Sequence, residues 1–311
     1  MQKNYQIDSD HQRDGDGEGS IDHCRCWDSV SNGYRKWWKQ IEGNGNKGEG
    51  EKGAQKVSLR LLELAEIRAG YTVLDIATGY GEPAVSAAQC VGSQGYVLAI
   101  DASPKMLEIA KERTKTLGFQ NITFKEINIE KLDLPDSFFY AAVCRWGLMF
   151  VPDLTSVLKK IYDTLFPGGR FAAAVWSHPS RVPLISLPMD IIRREIGNQI
   201  PKKQQTSLGP FSLSDINALK QMFIQTGFTD ISTELVNVTF ILPSAEQFVQ
   251  AMQELSPPIN MMLSNVAPVK RVKILGYITD ELDRNYKDKK TGHIRLTNEV
   301  ICIAGQRSVL N

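Results

Sequence analysis

The stretch that decides the fold is Val73-Leu74-Asp75-Ile76-Ala77-Thr78-Gly79-Tyr80-Gly81. An apolar run that breaks into a glycine-bearing turn is typical of a buried strand followed by a turn and a helix. A second apolar run, Tyr96–Ile100, ends in Asp101, twenty residues after Gly81 (101 − 81). In doubly wound sheets, a glycine turn followed by an acid at the end of the next strand holds an adenosine ribose. The sequence therefore predicts a nucleotide-binding α/β domain.

The glycine turn is not the dinucleotide fingerprint. That pattern is G-x-G-x-x-G. Here the spacing is A-x-G-x-G, formed by Ala77, Gly79 and Gly81, so alanine stands where the first glycine would be. Ala84 does occupy the position where glycine or alanine is allowed. An NAD(P)-dependent oxidoreductase is therefore a weak alternative.

Segments with strand and helix patterns alternate from Tyr71 onward, which predicts a parallel sheet with right-handed crossovers. The predicted strands are 72–77, 95–100, 121–127, 139–145, 169–176, 229–241 and Glu299–Ala304. The predicted helices are 59–67, 82–91, 104–117, 153–165, 187–197 and 213–226, with a helical region over 244–288. The periodicity of residues 27–41 predicts helical pieces with a wet side and an aromatic side. For the organisation along the chain we expect a disordered or loosely attached tail (1–20), a cap with a glycine-rich loop (21–56), a cofactor-binding core (57–180), and lid insertions with the last strands (181–311).

Composition limits the partners. The 36 basic and 35 acidic residues give a net charge of +1, so there is no general drive toward nucleic acid or a membrane. No apolar stretch is long enough to span a bilayer, and the polar, acidic start does not resemble a signal peptide. Five scattered cysteines favour a reducing, cytoplasmic compartment. Cys90, Cys144 and Cys302 lie in apolar patterns and are expected in the core. The oligomeric state stays open.

Ligands of open parallel sheets bind outside the carboxyl ends of the strands, so the residues that follow each strand belong together. Asp101 offers two acceptors to ribose hydroxyls, and Asn128 could accept from an adenine amino group. An adenine ring could lie between Ala102, Met106 and Ile129.

Five segments together resemble the class I S-adenosylmethionine-dependent methyltransferases, in a small-molecule branch similar to the ubiquinone/menaquinone-type enzymes. They are WDSVSNGYRKWW (27–38), VLDIATGYGEPA (73–84), AIDASPKMLEIAKER (99–113), LDLPDSFFYAAVCRWGLMFVPD (132–153) and LFPGGRFAAAVW (165–176). The resemblance implies a Rossmann-like, mostly parallel seven-strand sheet and S-adenosyl-L-methionine as cofactor. It implies cofactor contacts from Asp75, Ala77, Thr78, Gly79, Gly81, Asp101, Ala102, Met106, Asn128, Ile129 and Arg145. Ala77, Asn128 and Tyr140 depart from the family, which more often has Gly, Asp and Asp there.

The resemblance also implies methyl transfer by in-line attack of an acceptor on the sulfonium methyl. A hydroxyl of a small, largely apolar molecule is the first choice, because His178 follows the fifth strand and its imidazole could take the proton. His23 is a less favoured base. Tailoring of natural products is the expected context, and N- or C-methylation stays open. A non-catalytic protein of the same fold is a further alternative, against which the intact Gly79, Gly81 and Asp101 argue.

Aromatic residues are candidates for the acceptor pocket. Trp27, Tyr34 and Trp38 of the cap, and Trp146 and Met149 after the fourth strand, are predicted to contact substrate, although aromatic stripes at helical spacing often only pack on the core. The apolar residues at 252–263 form either lid core or pocket wall. Arg145 ends a strand that should be buried, so it is either a site arginine or half of a structural ion pair.

No metal is expected. His23-Cys24-Arg25-Cys26 offers three soft ligands where a structural zinc needs four. The acidic run from Asp14 resembles the front of an EF-hand loop but has Arg25 at the twelfth position, where that loop needs a bidentate Glu.

Overall fold

The computed structural model describes residues 26–42, 53–197 and 208–309. A seven-strand sheet forms its centre, in the order β3-β2-β1-β4-β5-β7-β6. β1 to β5 run parallel, while β7 is antiparallel to both β5 and β6. The strands are β1 (Thr72–Ile76), β2 (Tyr96–Asp101), β3 (Ile122–Glu126), β4 (Phe139–Arg145), β5 (Leu165–Trp176), β6 (Phe228–Leu242) and β7 (Ile294–Arg307). The predicted mostly parallel seven-strand architecture is confirmed.

Ten helices of the described residues flank or extend the sheet. They are α1 (Ser31–Glu42), α2 (Gln55–Leu64), α3 (Ala84–Val91), α4 (Pro104–Leu117), α5 (Leu154–Thr164), α6 (Pro183–Ile196), α7 (Ile216–Gln225), α8 (Ala245–Leu255), α9 (Pro257–Leu263) and α10 (Pro268–Asn285). The helical region predicted over 244–288 is three helices, because Pro257 and Pro268 each lack the N–H that would continue the preceding helix.

Local chemistry sets the helix starts that face the site. The Ser103 side chain accepts from the N–H of Met106, and Pro104 supplies the preset φ of a first helical position. The central strands are mostly apolar because helices cover both faces of a parallel sheet. β1 is buried at every position. The carboxyl ends of β1, β2 and β4 therefore meet at one edge, with the helix N-termini beside them.

The predicted burial of Cys90 and the predicted start of β5 need correction. Cys144 and Cys302 are buried, but Cys90 is exposed, because it lies in the last turn of α3 on the side away from the sheet. β5 begins at Leu165 rather than 169, since Phe139 already pairs with Leu165 before the register shifts. Predictions for the tail, His23, Cys24 and the glycine-rich loop lie outside the described residues.

No helix in the described ranges is both long enough and apolar enough to cross a membrane.

Candidate active site

A cavity of about 380 Å³ opens at the carboxyl ends of β1, β2 and β4. Its walls come from the loops after these strands, the loop after β3, the end of β5, the cap helix α1, and the later elements α6, β6, α8 and α9. The residues that line it and were predicted as site residues are Trp27, Tyr34, Ala77, Thr78, Gly79, Asp101, Ala102, Met106, Asn128, Ile129, Arg145, Trp146 and Met149. The structure thus brings together most of the predicted set.

The loop after β1 forms the floor of the cavity. Ala77 and Gly79 both adopt left-handed backbone conformations, with φ of +54° and +55°. At Gly79 a Cβ would lie 3.4 Å from the Cε of Met106, so a larger side chain would fill the space between the loop and α4. Glycine at this position keeps the backbone accessible to a ligand.

Asp101 connects the first two strand ends. Its Oδ2 accepts the N–H of Gly79 at 2.8 Å, and its Oδ1 accepts the N–H of Ser103 at 2.9 Å. Burial raises the pKa of the Asp101 carboxyl, while the backbone hydrogen bonds partly oppose this shift. Each oxygen keeps a lone pair beyond its backbone bond, and the side chain lines the cavity. The geometry suits a pair of vicinal hydroxyls.

The side of the cavity beyond Asp101 is mostly apolar. Ala102, Met106 and Ile129 line it, as the sandwich for a planar base requires. Asn128 begins a short 3-10 helix and accepts the N–H of Glu130 at 3.0 Å. The side-chain oxygen predicted to meet adenine is therefore held in place, with its second lone pair left for a ligand.

Two predicted cofactor residues do not line the cavity. Asp75 is fully buried below the loop, where its Oδ2 accepts from Thr78 Oγ1 at 2.6 Å. Burial raises the pKa of Asp75 to about 7, against the lowering effects of the Thr78 hydrogen bond and the Arg145 charge. Gly81, at φ +97°, packs against α4, since a Cβ there would lie 3.2 Å from the Cβ of Ala110.

Arg145 forms a buried ion pair, which confirms the structural alternative for this residue. Its guanidinium lies 2.7 and 3.0 Å from the two carboxylate oxygens of Glu42, at the end of α1. It also donates to Ser58 Oγ at 2.8 Å and to the Tyr80 hydroxyl at 2.9 Å, and Tyr80 donates in turn to Glu42. Arg145 still borders the cavity, and its bonds to Glu42 tie the cap helix α1 to the core.

Aromatic rings build the far wall. Trp146 stacks on Trp176, with ring centroids 4.5 Å apart, and the Arg145 guanidinium lies 5.1 Å from the Trp146 ring. Trp146 has φ +60°, and its backbone N–H donates to the carbonyl of Ala174 on β5. Sequence reasoning missed Trp176, although its place as the last residue of a strand was a usable signal.

The aromatic residues of the cap that line the cavity differ from those predicted. Trp27 and Tyr34 line the cavity, but Trp38 lies outside it, beneath the guanidinium of Arg113 at 4.6 Å. Trp37, which was not predicted, lines the cavity and donates to Glu254 on α8 at 2.6 Å. The helical spacing indicated which rings share a face, but the contact with α8, 217 residues away in sequence, had no local signal.

The structure does not bring His178 to the cavity. Its side chain is exposed and its Nδ1 lies 2.9 Å from the hydroxyl of Ser180, at the start of a short 3-10 helix. The chain turns outward directly after Trp176 and Ser177, because Ser177 bonds to Glu299 of β7. The expected position of His178 beside the transferred methyl is therefore wrong. In the ranges that the structure describes, no cluster of three His, Cys, Asp or Glu side chains could hold a metal ion.

The arrangement fits S-adenosylmethionine. Asp101 and the Gly79 loop could hold the ribose, the slot lined by Ala102 and Met106 could take adenine, and the cavity continues past Ala77 to the tryptophan wall. Gly147 lets the loop after β4 pack closely on the loop after β1, since a Cβ there would lie 2.5 Å from the Cβ of Ala77. One cavity therefore offers both an adenosine end and an apolar acceptor end.

Comparison with known proteins agrees with this geometry. The family described as a methyltransferase domain matches residues 67–227. The ubiquinone/menaquinone biosynthesis C-methyltransferase UbiE of Francisella philomiragia is 32% identical over 182 residues, which cover 56% of this chain and 72% of that protein. UbiE of Pasteurella multocida is 28% identical over 182 residues, covering 55% of this chain and 67% of that protein.

Solved structures show the same fold. The phosphoethanolamine N-methyltransferase 2 of Haemonchus contortus, in complex with phosphomonomethylethanolamine and S-adenosylhomocysteine, superposes with a TM-score of 0.54 at 18% identity. The superposition covers 93% of this chain and 59% of that one. At this identity the likeness concerns the fold alone. From the family match, the sheet order and the cavity together, the chain belongs to the methyltransferase domain family and is a class I S-adenosylmethionine-dependent methyltransferase.

Proposed function

We propose that this enzyme methylates a carbon atom of a small, largely apolar and electron-rich acceptor. The observation that carries the proposal is the composition of the acceptor end of the cavity. Its walls are aromatic and aliphatic, and they come from Trp146, Met149, Phe150, Trp176, Leu184, Phe240, Phe248, Met252, Leu255 and Ile259. Such a surface stabilises an apolar ring by burial and by stacking.

The ionisable side chains that line the described cavity are poorly suited to removing a proton from a hydroxyl. Glu82 is paired with Arg113 at 2.7 Å and accepts from Ser86 at 2.8 Å. Burial raises the pKa of Tyr34 to about 12, and the Tyr80 hydroxyl is engaged by Glu42 and Arg145. Asp101 and Glu130 lie at the adenosine end. The choice of a hydroxyl acceptor depended partly on His178, so it loses that part of its support.

The relatives favour the same conclusion. The two UbiE proteins compared above are named as C-methyltransferases of ubiquinone/menaquinone biosynthesis. Carbon methylation in an apolar cavity is therefore consistent with both the walls and the relatives. The context of natural-product tailoring stays a prediction.

When bound, S-adenosylmethionine supplies an electrophilic methyl group on a sulfonium, with S-adenosylhomocysteine as the leaving group. The acceptor carbon that takes this methyl would release its ring hydrogen as a proton to solvent at the cavity opening, so no side-chain base is needed before the new carbon–carbon bond forms. The chain's own residues would do three things: Asp101 and the Gly79 loop fix the adenosine, the Trp146–Trp176 pair holds the acceptor plane, and the cap and α8 exclude water. Proximity and alignment of this kind can account for several kcal/mol of the barrier, about 7–11 kcal/mol in favourable cases.

The test uses S-adenosylmethionine with a labelled methyl group and matched acceptors: a hydroxylated naphthalene, its methyl ether, and an aliphatic amine. We expect label in the ring of the hydroxylated naphthalene, identified by mass spectrometry and NMR as a new carbon–carbon bond. A methyl ether or a methylated amine as the main product would overturn carbon methylation while leaving the cofactor assignment intact.

Two variants compare the acceptor wall with His178, which lies outside the cavity. Trp146→Ala removes half of the stacked wall, so kcat/KM should fall by about tenfold or more, because a buried aromatic contact is worth on the order of 1 kcal/mol beyond its area. His178→Ala should keep the wild-type kcat. A tenfold loss in His178→Ala, with cofactor affinity unchanged, would restore His178 as the base.

A further inference from the structure

The outer surface formed by α9 and the start of α10 has an unusual composition. Val269 and Val272 are 85% and 71% exposed, and Met261 is 49% exposed. These three are among the eight large apolar residues that the described chain leaves exposed, yet they lie within twelve residues of one another (261 to 272). Single exposed apolar side chains are ordinary, but a local cluster marks a contact surface.

The geometry of α10 excludes a role in the core for the two valines. Ile274, Ile278 and Leu282 form its buried side. At 100° per residue, Val269 and Val272 lie on the opposite side of the helix, where polar residues are usual. Their apolar side chains therefore contribute little to folding.

The charge of the same surface is positive. From Leu255 to Thr279 the chain contains Lys270, Arg271 and Lys273 and no acidic residue, and the first acid that follows, Asp280, lies two turns beyond Lys273. Lys273 is exposed and lies next to Val269 and Val272 on the outer side of the helix. Arg271 donates to the carbonyl of Leu263, which joins the start of α10 to the end of α9. The net charge of +1 for the whole chain conceals this local excess.

This surface is continuous with the acceptor end of the cavity. Pro257, Pro258 and Ile259, in the first turn of α9, line the cavity, and Met261 follows on the outer side of the same helix. An apolar ligand in contact with Met261 would therefore reach the residues of the cavity wall within one helical turn.

We propose that the α9–α10 surface docks on an anionic lipid bilayer, from which the apolar acceptor enters the cavity directly. Exposed valines flanked by lysines fit the boundary between headgroups and acyl chains, where apolar side chains insert and cations meet anionic lipid. The proposal replaces the expectation of no membrane partner that net charge alone suggested. It rests on the proposed function only in that the acceptor is apolar.

The test is co-sedimentation of the full chain with vesicles of phosphatidylglycerol and phosphatidylcholine in equal amounts, and with vesicles of phosphatidylcholine alone. We expect binding to the mixed vesicles that weakens as salt is raised from about 0.1 M to about 0.5 M, because the Debye length shortens. Lys270→Glu/Lys273→Glu should weaken binding by about 30-fold or more, since each cation near the surface contributes a factor of about five. Val269→Ser/Val272→Ser should weaken it by about tenfold.

Matched controls come from exposed residues elsewhere on the chain. Lys289→Glu/Lys290→Glu changes charge equally, and Leu117→Ser/Ile224→Ser removes two other exposed apolar side chains. Both should bind vesicles like the wild type. Circular dichroism and binding of S-adenosylhomocysteine report whether each variant is folded.

No binding to the mixed vesicles, or equal losses in the control variants, would overturn the proposal. A dimer in solution that the valine variant dissociates would also overturn it, since the surface would then be an interface between copies. Because the readout is vesicle binding, a failure here is distinct from a failure of methyl transfer.

Discussion

The Asp75 side chain is fully buried, and its carboxyl group does not line the cavity. Its Oδ2 is held by Thr78, and its Oδ1 has no hydrogen-bond partner among the described residues. The sequence predicted a cofactor contact because Asp75 is in register with the first family motif. Burial could not be inferred from that register, since the loop that covers the carboxyl is closed by tertiary contacts.

The raised pKa of Asp75 makes the stability depend on pH. The carboxyl has a pKa of about 7 when folded, against 3.8 as its ordinary value, so folding takes up a proton between these two values. Stability from this group is fully present below pH 3.8 and is lost as the pH rises through 7. Asp75→Asn should therefore become more stable than the wild type between pH 4 and pH 7, by up to about 4 kcal/mol.

Urea unfolding at several pH values measures this difference. Asp136→Asn, at an exposed site, is the control and should stay within about 0.5 kcal/mol of the wild type at every pH. If the gap between Asp75→Asn and the wild type does not widen with pH, the carboxyl is ionised in the folded protein.

The cap helix α1 is joined to the rest of the molecule at both ends. Near its start Gly33 lies against the backbone of α8, and at its end Glu42 meets Arg145 of β4. The periodicity of residues 27–41 predicted a helix with an aromatic side. It could not predict these contacts, because their partners lie 103 and more residues away.

Gly33 tests the packing of α1 on α8. A Cβ at this position would lie 2.0 Å from the carbonyl oxygen of Glu254, so Gly33→Ala must push the two helices apart. We expect a loss of about 1–3 kcal/mol in unfolding free energy. Gly276→Ala, in α10 with nothing within 4 Å, is the matched control and should gain about 0.5–1 kcal/mol. Equal effects of the two substitutions would show that α1 does not pack closely on α8.

Glu42 tests the attachment of α1 to β4. Glu42→Gln leaves the Arg145 guanidinium buried without a counter-charge, which should cost about 3–5 kcal/mol. The corresponding change in the exposed pair, Glu63→Gln beside Arg60, should cost less than about 1 kcal/mol. Thermal and urea unfolding would measure both. A small loss in Glu42→Gln would mean that water reaches Arg145.

At the scale of the whole molecule, the sheet was predictable and the cavity was only partly so. Strand and helix patterns alternate locally along residues 71–176, and the right-handed crossover rule converts that order into a sheet. The acceptor wall draws on β5, α6, β6, α8 and α9, whose approach depends on long-range packing. Trp176 and Trp37 were therefore not predicted as cavity residues. His178 was predicted beside the cavity, but the chain turns outward before it.

We propose that Asp101 holds the ribose of S-adenosylmethionine in this cavity. The most direct measurement is a calorimetric titration of S-adenosylhomocysteine into the wild type, Asp101→Ala and the exposed control Asp133→Ala. We predict one saturable site in the wild type and the control, and affinity lower by about 100-fold in Asp101→Ala, because two hydrogen bonds to a carboxylate are lost. No saturable heat with the wild type, or unchanged affinity in Asp101→Ala, would contradict it.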